Sequence, residues 1–171
     1  VYLLNGHEYM FWDGKDDTQF KDVEPYVPTV LTAASPLGQG TSLENVNRLT
    51  NKRIAQYSAD GTSKDYYLPE SEVKEVLSVE GTTATYTLDA AKGKVTFSAA
   101  PSSGVNNLKI TYTKGDGALD EVKKMRFAEL FNGTTDSRIF LYGDGSNKTI
   151  YSGVNHATGK PDASYFPDLY E

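Results

Sequence analysis

Among the acidic residues, Asp120, Glu121, Asp136, Asp162 and Asp168 have the side-chain type that general acid–base and glycoside chemistry requires. In such chemistry one carboxyl protonates the leaving oxygen while a second serves as base or nucleophile, so the separation of the two in space decides everything. Nothing in the spacing of these five singles out a pair. The histidines, His7 and His156, each lie beside a turn signal with no second metal-binding side chain nearby in sequence, and read as exposed loop residues. Asp13, Lys15, Asp16 and Asp17 have a calcium-loop composition, as do Asp144, Ser146 and Asn147. Both groups lack the alternating carboxylates that close on a distant glutamate, so they read as turn caps. With no cysteine, thiol nucleophiles, disulfides and thiolate metal sites are excluded. No G-x-S-x-G elbow, phosphate-binding loop or G-x-G-x-x-G fingerprint occurs. The expectation is a protein that is not an enzyme and holds no cofactor or metal.

Aromatic side chains offer a different chemistry, because rings stack on sugar faces while polar neighbours bond the hydroxyls. Trp12, Tyr66, Tyr67, Tyr151, Tyr165 and Phe166 are the candidates for such a platform. The competing reading is structural: aromatics on alternating strand positions usually form cores or cross-strand pairs.

The elements that would position these residues are strands. Twelve tyrosines and 15 glycines, with frequent threonine, favour short strands joined by tight turns, and the expected class is all-β. In LLNGHEYMFWDG, residues 3–14, Asn5-Gly6 and Asp13-Gly14 are hairpin signals of the type I′ kind, flanking a strand at 8–12. Such an opening inside a meander suggests a piece of a larger protein. Strands are predicted over 2–4, 8–12 and 19–23. Pro25 and Pro28 then interrupt pairing, and 32–40 reads as a connection. The segment 44–50 shows no period and reads as loop.

From 52 to 115 the pattern is strand-rich. Leu108, Ile110 and Tyr112 alternate with Lys109, Thr111 and Thr113, and Val95 and Phe97 alternate with Lys94, Thr96 and Ser98. About six short strands at this spacing predict a small β-sandwich, Ig-like in style. A single short helix is predicted near 121–124, capped by Asp120 or starting nearer Ala118. After a strand at 126–131, LFNGTTDSRIFLYGDG, residues 130–145, repeats the order of the opening stretch: apolar pair, Asn-Gly, spacer, apolar-aromatic strand, Asp-Gly turn. Two meanders therefore bracket the central unit, as blades of a propeller would. The predicted organisation is a blade-like region formed by 1–51 and 116–171, with a β-sandwich inserted at 52–115.

The charge balance of 17 basic against 23 acidic residues, net −6, lacks the basic stripe of a nucleic-acid-binding protein. Apolar runs are too short to span a membrane as a helix.

The run FAELFNGTTDSRIFLYGDGSNKTIYSGVNHATGKPDASYFPDL, residues 127–169, resembles a pattern in bacteriophage and prophage virion proteins. There a strand ending in Asn-Gly or Gly-Gly leads to Arg-apolar-Phe-Leu-Tyr-Gly, then Tyr-Ser-Gly, then an acidic Tyr-Phe-Pro segment. LLNGHEYMFWDG followed by VEPYVPTV, residues 23–30, is similar to an earlier stretch of those proteins. YSADGTSKDYYL, TYTLDAAKGKVTFSAAP and VNNLKITYTK, within 57–114, look like a small β module common in phage structural proteins. The resemblance implies a tail or head-completion component in the style of the β-propeller nozzle, or stabilisation, proteins. It further implies ring self-association in the parent protein, contacts with other tail or connector proteins, and a place in the virion after synthesis in the bacterial cytoplasm. The alternative is a carbohydrate-binding or adhesion module of a phage fibre or bacterial surface protein.

Overall fold

A computed structural model describes residues 1–15, 17, 19–133, 137–155 and 157–167, with the side chain of Asn132 outside that description. The described elements, in chain order, are β1 (Tyr2–Leu4), β2 (Tyr9–Phe11), β3 (Lys21–Asp22), β4 (Thr29–Ala34), β5 (Thr41–Ser42), β6 (Lys52–Tyr57), β7 (Asp65–Tyr67), β8 (Glu75–Glu80), β9 (Tyr86–Asp89), β10 (Lys94–Phe97), β11 (Leu108–Thr113), the helix α1 (Leu119–Lys123), β12 (Phe127–Asn132), β13 (Ser137–Tyr142) and β14 (Thr149–Tyr151). The chain is all-β, and its described residues form four small sheets of which none closes. No described helix is long and apolar enough to cross a membrane. Ala118 occupies the N-cap position of α1 and supplies no side-chain cap, with Asp120 and Glu121 in the first turn.

Two compact units divide the chain. One comprises 1–26, 47–50 and 117–171, the other 27–46 and 51–116. The stretch 32–40, expected to connect, lies between and partly within two strands, β4 and β5, that the segment 27–46 supplies to the second unit.

In the second unit the strand order is β5-β4-β6-β11-β8 in one sheet and β7-β10-β9 in the other. Both feed one core of Leu31, Tyr57, Tyr66, Val95, Phe97, Leu108, Ile110 and Tyr112, among others. The alternation of β10 and β11 sets which side chains enter it: Val95, Phe97, Leu108, Ile110 and Tyr112 are buried while Lys94, Thr96, Lys109 and Thr111 are half-buried. Each such apolar side chain, fully buried, contributes on the order of 1.5–3 kcal/mol. Tyr66 meets Tyr57 and Phe97 edge-on, with ring centroids 5.4 and 5.5 Å away.

β4 runs parallel to β6, with register shifts on either side of Leu31 and with Ala33 at φ 52°. Its buried residues Leu31 and Ala34 are therefore three apart, not two, and the period-2 signature of a strand is lost.

The first unit holds two three-stranded meanders, β1-β2-β3 and β12-β13-β14. Tyr9 of the first and Leu141 and Ile150 of the second share a core with Leu49, Val122, Met125 and Phe166. The β1–β2 connection is a four-residue loop, since Leu4 and Tyr9 form its last pair. The expected two-residue turn is displaced because Asn5 Oδ1 accepts from His7 N at 3.0 Å and Glu8 N at 2.8 Å, leaving only Gly6 at positive φ.

Candidate functional site

Of the carboxylates nominated by type, Glu121 and Asp162 make structural contacts. Glu121 Oε2 lies 3.2 Å from Arg48 Nη1 and 2.9 Å from Lys148 Nζ, and the hydrogen bond from Lys148 is the main reason its carboxyl titrates below its ordinary range. Asp162 Oδ1 accepts from Ser164 N at 2.8 Å and Ser164 Oγ at 2.6 Å. Asp120 is exposed on α1. Asp13 Oδ1 accepts from Lys15 N, and Asp144 Oδ1 from Ser146 N and Oγ, so both close local turns. Hydrogen bonds from Ser146 push the Asp144 carboxyl down. His7 is exposed. Among the described residues no three His, Asp or Glu side chains gather where they would hold a metal ion. Asp16, Asp136, His156 and Asp168 lie outside the described residues.

The six aromatics do not make one platform. Tyr66 and Phe166 are 0% exposed and Tyr165 is 6% exposed, so half of the set is core. Tyr66 sits opposite Val95 on the inward face of β7, and Phe166 packs edge-on against Tyr9 at 6.2 Å. Trp12, Tyr67 and Tyr151 are half-buried. Trp12 packs beside Phe20 and donates its indole N–H to Lys15 O, whereas Tyr151 stacks on Phe140 at 5.4 Å with the Arg138 guanidinium 6.0 Å from its ring. These are local cross-strand pairs.

The unspent surface is on β12. It forms one edge of its sheet, and Phe127, Leu130 and Phe131 are each more than half exposed. Ala128 and Glu129 are exposed too. Antiparallel register places Ala128 opposite Leu141 and Leu130 opposite Ile139, so the two share the core-facing side of the sheet without being covered there. Beside them runs an open groove of about 200 Å³ lined by Tyr2, Leu4, Tyr9, Ala128, Ile139, Leu141 and Ala163. Tyr9 closes one side of it, its phenol donating to Ala163 O at 2.7 Å. Burial raises the Tyr9 pKa well above the ordinary value, with Tyr2 and Asp162 adding to the effect.

Edge strands are normally blunted by charge, brevity or Pro. β8, the other six-residue edge strand described, carries Glu75 and Glu80 at its two ends, and Lys109 pairs with Glu80 at 3.3 Å. β12 carries Glu129 alone among five apolar and amide residues. Its sequence signal was the apolar content at both parities, Phe127 and Phe131 on one face, Ala128 and Leu130 on the other. A strand of that kind asks for cover on both sides.

Comparison of the chain with protein-family models, with curated proteins and with solved structures gives no match.

Proposed function

We propose that this chain is a non-catalytic structural part of a phage tail or head-to-tail assembly, which works by presenting β surfaces to neighbouring proteins. The observation that carries the reading is β12, a six-residue edge strand with three large apolar side chains more than half exposed. The likeness of residues 127–169 to virion proteins supplies the setting. In this reading the second unit is the inserted β-sandwich, its five-stranded and three-stranded sheets facing across a shared core. The two meanders of the first unit are propeller-style blades of the nozzle or stabilisation type, and ring closure belongs to the parent protein.

The adhesin alternative draws less support, because Tyr66, Tyr165 and Phe166 are withdrawn into cores. The acidic balance suits a channel wall past which DNA slides, since few cations are offered to phosphate. Immunogold labelling with antibody to this chain tests the role on intact and partly disassembled particles of the parent phage or prophage. Label at the tail or the head–tail junction is the expected result. Unlabelled particles in both states, together with glycan binding that is lost on replacing Trp12, would overturn it.

A further inference from the structure

We infer that the free edge of β12 and the groove beside it receive an extended segment of a different protein, which adds to the sheet as a strand antiparallel to β12. This rests on the assembly reading above and names the chemistry of the partner at that surface.

Backbone directions fix the docking groups. Ser152 N donates to Ile139 O at 2.9 Å, so Ile139 and Leu141 turn their peptide groups toward β14, while Arg138, Phe140 and Tyr142 turn theirs toward β12. Their register partners Phe131, Glu129 and Phe127 consequently address β13. Ala128 and Leu130 direct N–H and C=O outward. Such groups are satisfied in series only by another extended chain. The side chains of the same two residues lie on the groove side, so an added strand sends every second side chain over Tyr2, Leu4 and Tyr9. Those side chains are aliphatic by the character of the lining.

Charge sets partner and direction. Glu129 lies on the opposite face of β12 and calls for a cation across from it. Lys123, Lys124 and Arg126 immediately precede β12 in the chain, at the end where the C-terminal end of an antiparallel strand arrives, and favour acidic residues there. A second copy of β12 lacks this pattern. The register that joins Ala128 of one copy to Leu130 of the other puts the two Glu129 carboxylates directly opposite each other, a destabilising pair.

The probe is the acetylated, amidated peptide Thr-Val-Lys-Val-Thr-Asp-Asp, added to the isotope-labelled full chain at about 1 mM, the affinity range open to so short a segment. Amide hydrogen exchange at Ala128 and Leu130 is expected to slow roughly tenfold. The charge-reversed peptide Thr-Val-Glu-Val-Thr-Lys-Lys should give little of this effect. Leu130→Lys, at a position 55% exposed, should abolish the response, whereas Leu77→Lys on the β8 edge should leave it unchanged. Unaltered exchange at Ala128 and Leu130, or an equal response to both peptides, overturns the proposal. So does protection of those two amides that rises with protein concentration and needs no peptide, which would identify a second copy as the occupant. Particles that label with antibody while the peptide fails would retain the structural role and discard strand addition.

Discussion

Asn47 Oδ1 accepts the backbone N–H of Phe166 at 3.0 Å, joining two residues 119 positions apart in the chain. The same oxygen accepts from Leu49 N at 3.1 Å, and Nδ2 donates to Tyr26 O at 2.8 Å and to Ser164 O at 2.7 Å. One side-chain amide thus uses both donors and both lone pairs, and at 2% exposure water has no access to replace it. Asn47→Ala would leave Phe166 N and Leu49 N without this acceptor and take a donor from Tyr26 O, while Ser164 O keeps its bond from Tyr26 N at 2.9 Å. The expected cost is about 3 kcal/mol, the summed penalty of the unsatisfied groups less partial relaxation. Trp12, the single tryptophan, lies in the same unit and reports the transition by fluorescence during urea titration. A midpoint within error of the wild type would show that the amide is dispensable.

Excision tests where the second unit begins. Because β4 hydrogen-bonds to β6 and delivers Leu31 and Ala34 to the core, a fragment of residues 27–116 should melt cooperatively. The fragment 52–115 omits that strand, leaves the β6 edge bare, and should melt broadly or not at all. Within 27–116, Phe97→Ala removes a ring that is 1% exposed and should cost about 3–5 kcal/mol. Equal cooperativity of the two fragments would show that β4 is peripheral.

These elements mark what the sequence could disclose. The alternation in β10 and β11 was legible because both strands pair antiparallel over their length and bury one face, so period 2 survives in the residues themselves. β4 was not, because its register shifts and the positive φ of Ala33 destroy the period locally. Segment 44–50 carries no period at all, and its role rests on Asn47 bonding residues distant in sequence, which local pattern does not encode. Tyr66 and Tyr67 were readable as strand residues but not as platform or core, since they are adjacent and only the pairing of β7 with β10 decides which points inward. For β12 the composition was visible. Its lack of cover was not.

Acid should weaken the first unit in part through Glu121. Its pKa is lowered in the folded chain from the ordinary 4.5, chiefly by the hydrogen bond from Lys148 and then by the Lys148 and Arg48 charges. A folded pKa below the unfolded one means that the stabilisation is fully present above about 4.5 and is lost as pH falls through the folded value. Half exposure and solvent screening keep the contribution under about 1 kcal/mol. Glu121→Gln should therefore lower the urea midpoint of the Trp12 signal at pH 7 and leave it nearly unchanged at pH 3. A gap between variant and wild type that is as large at pH 3 as at pH 7 would assign the effect to packing.

Two glycines separate backbone strain from collision. Gly93 and Gly115 have nearly the same left-handed φ, 63° and 64°, and both belong to the second unit. A side chain at Gly115 meets nothing within 4 Å among the described residues, so Gly115→Ala carries only the left-handed penalty of about 1–2 kcal/mol, reduced by the stiffer unfolded chain. At Gly93 the added Cβ would lie 1.9 Å from the carbonyl oxygen of Glu70, and Gly93 O also accepts from Leu68 N at 2.8 Å, which holds the two segments together. Relief requires moving the 68–70 segment, whose Glu70 is tied to Arg53 and accepts a 2.8 Å hydrogen bond from Tyr112 OH. Gly93→Ala should thus exceed Gly115→Ala by about 2 kcal/mol or more in thermal or urea unfolding, the scale of a disrupted core network. Equal losses in the two variants would mean that the 68–70 segment yields freely, and that the Arg53–Glu70–Tyr112 cluster does not anchor it.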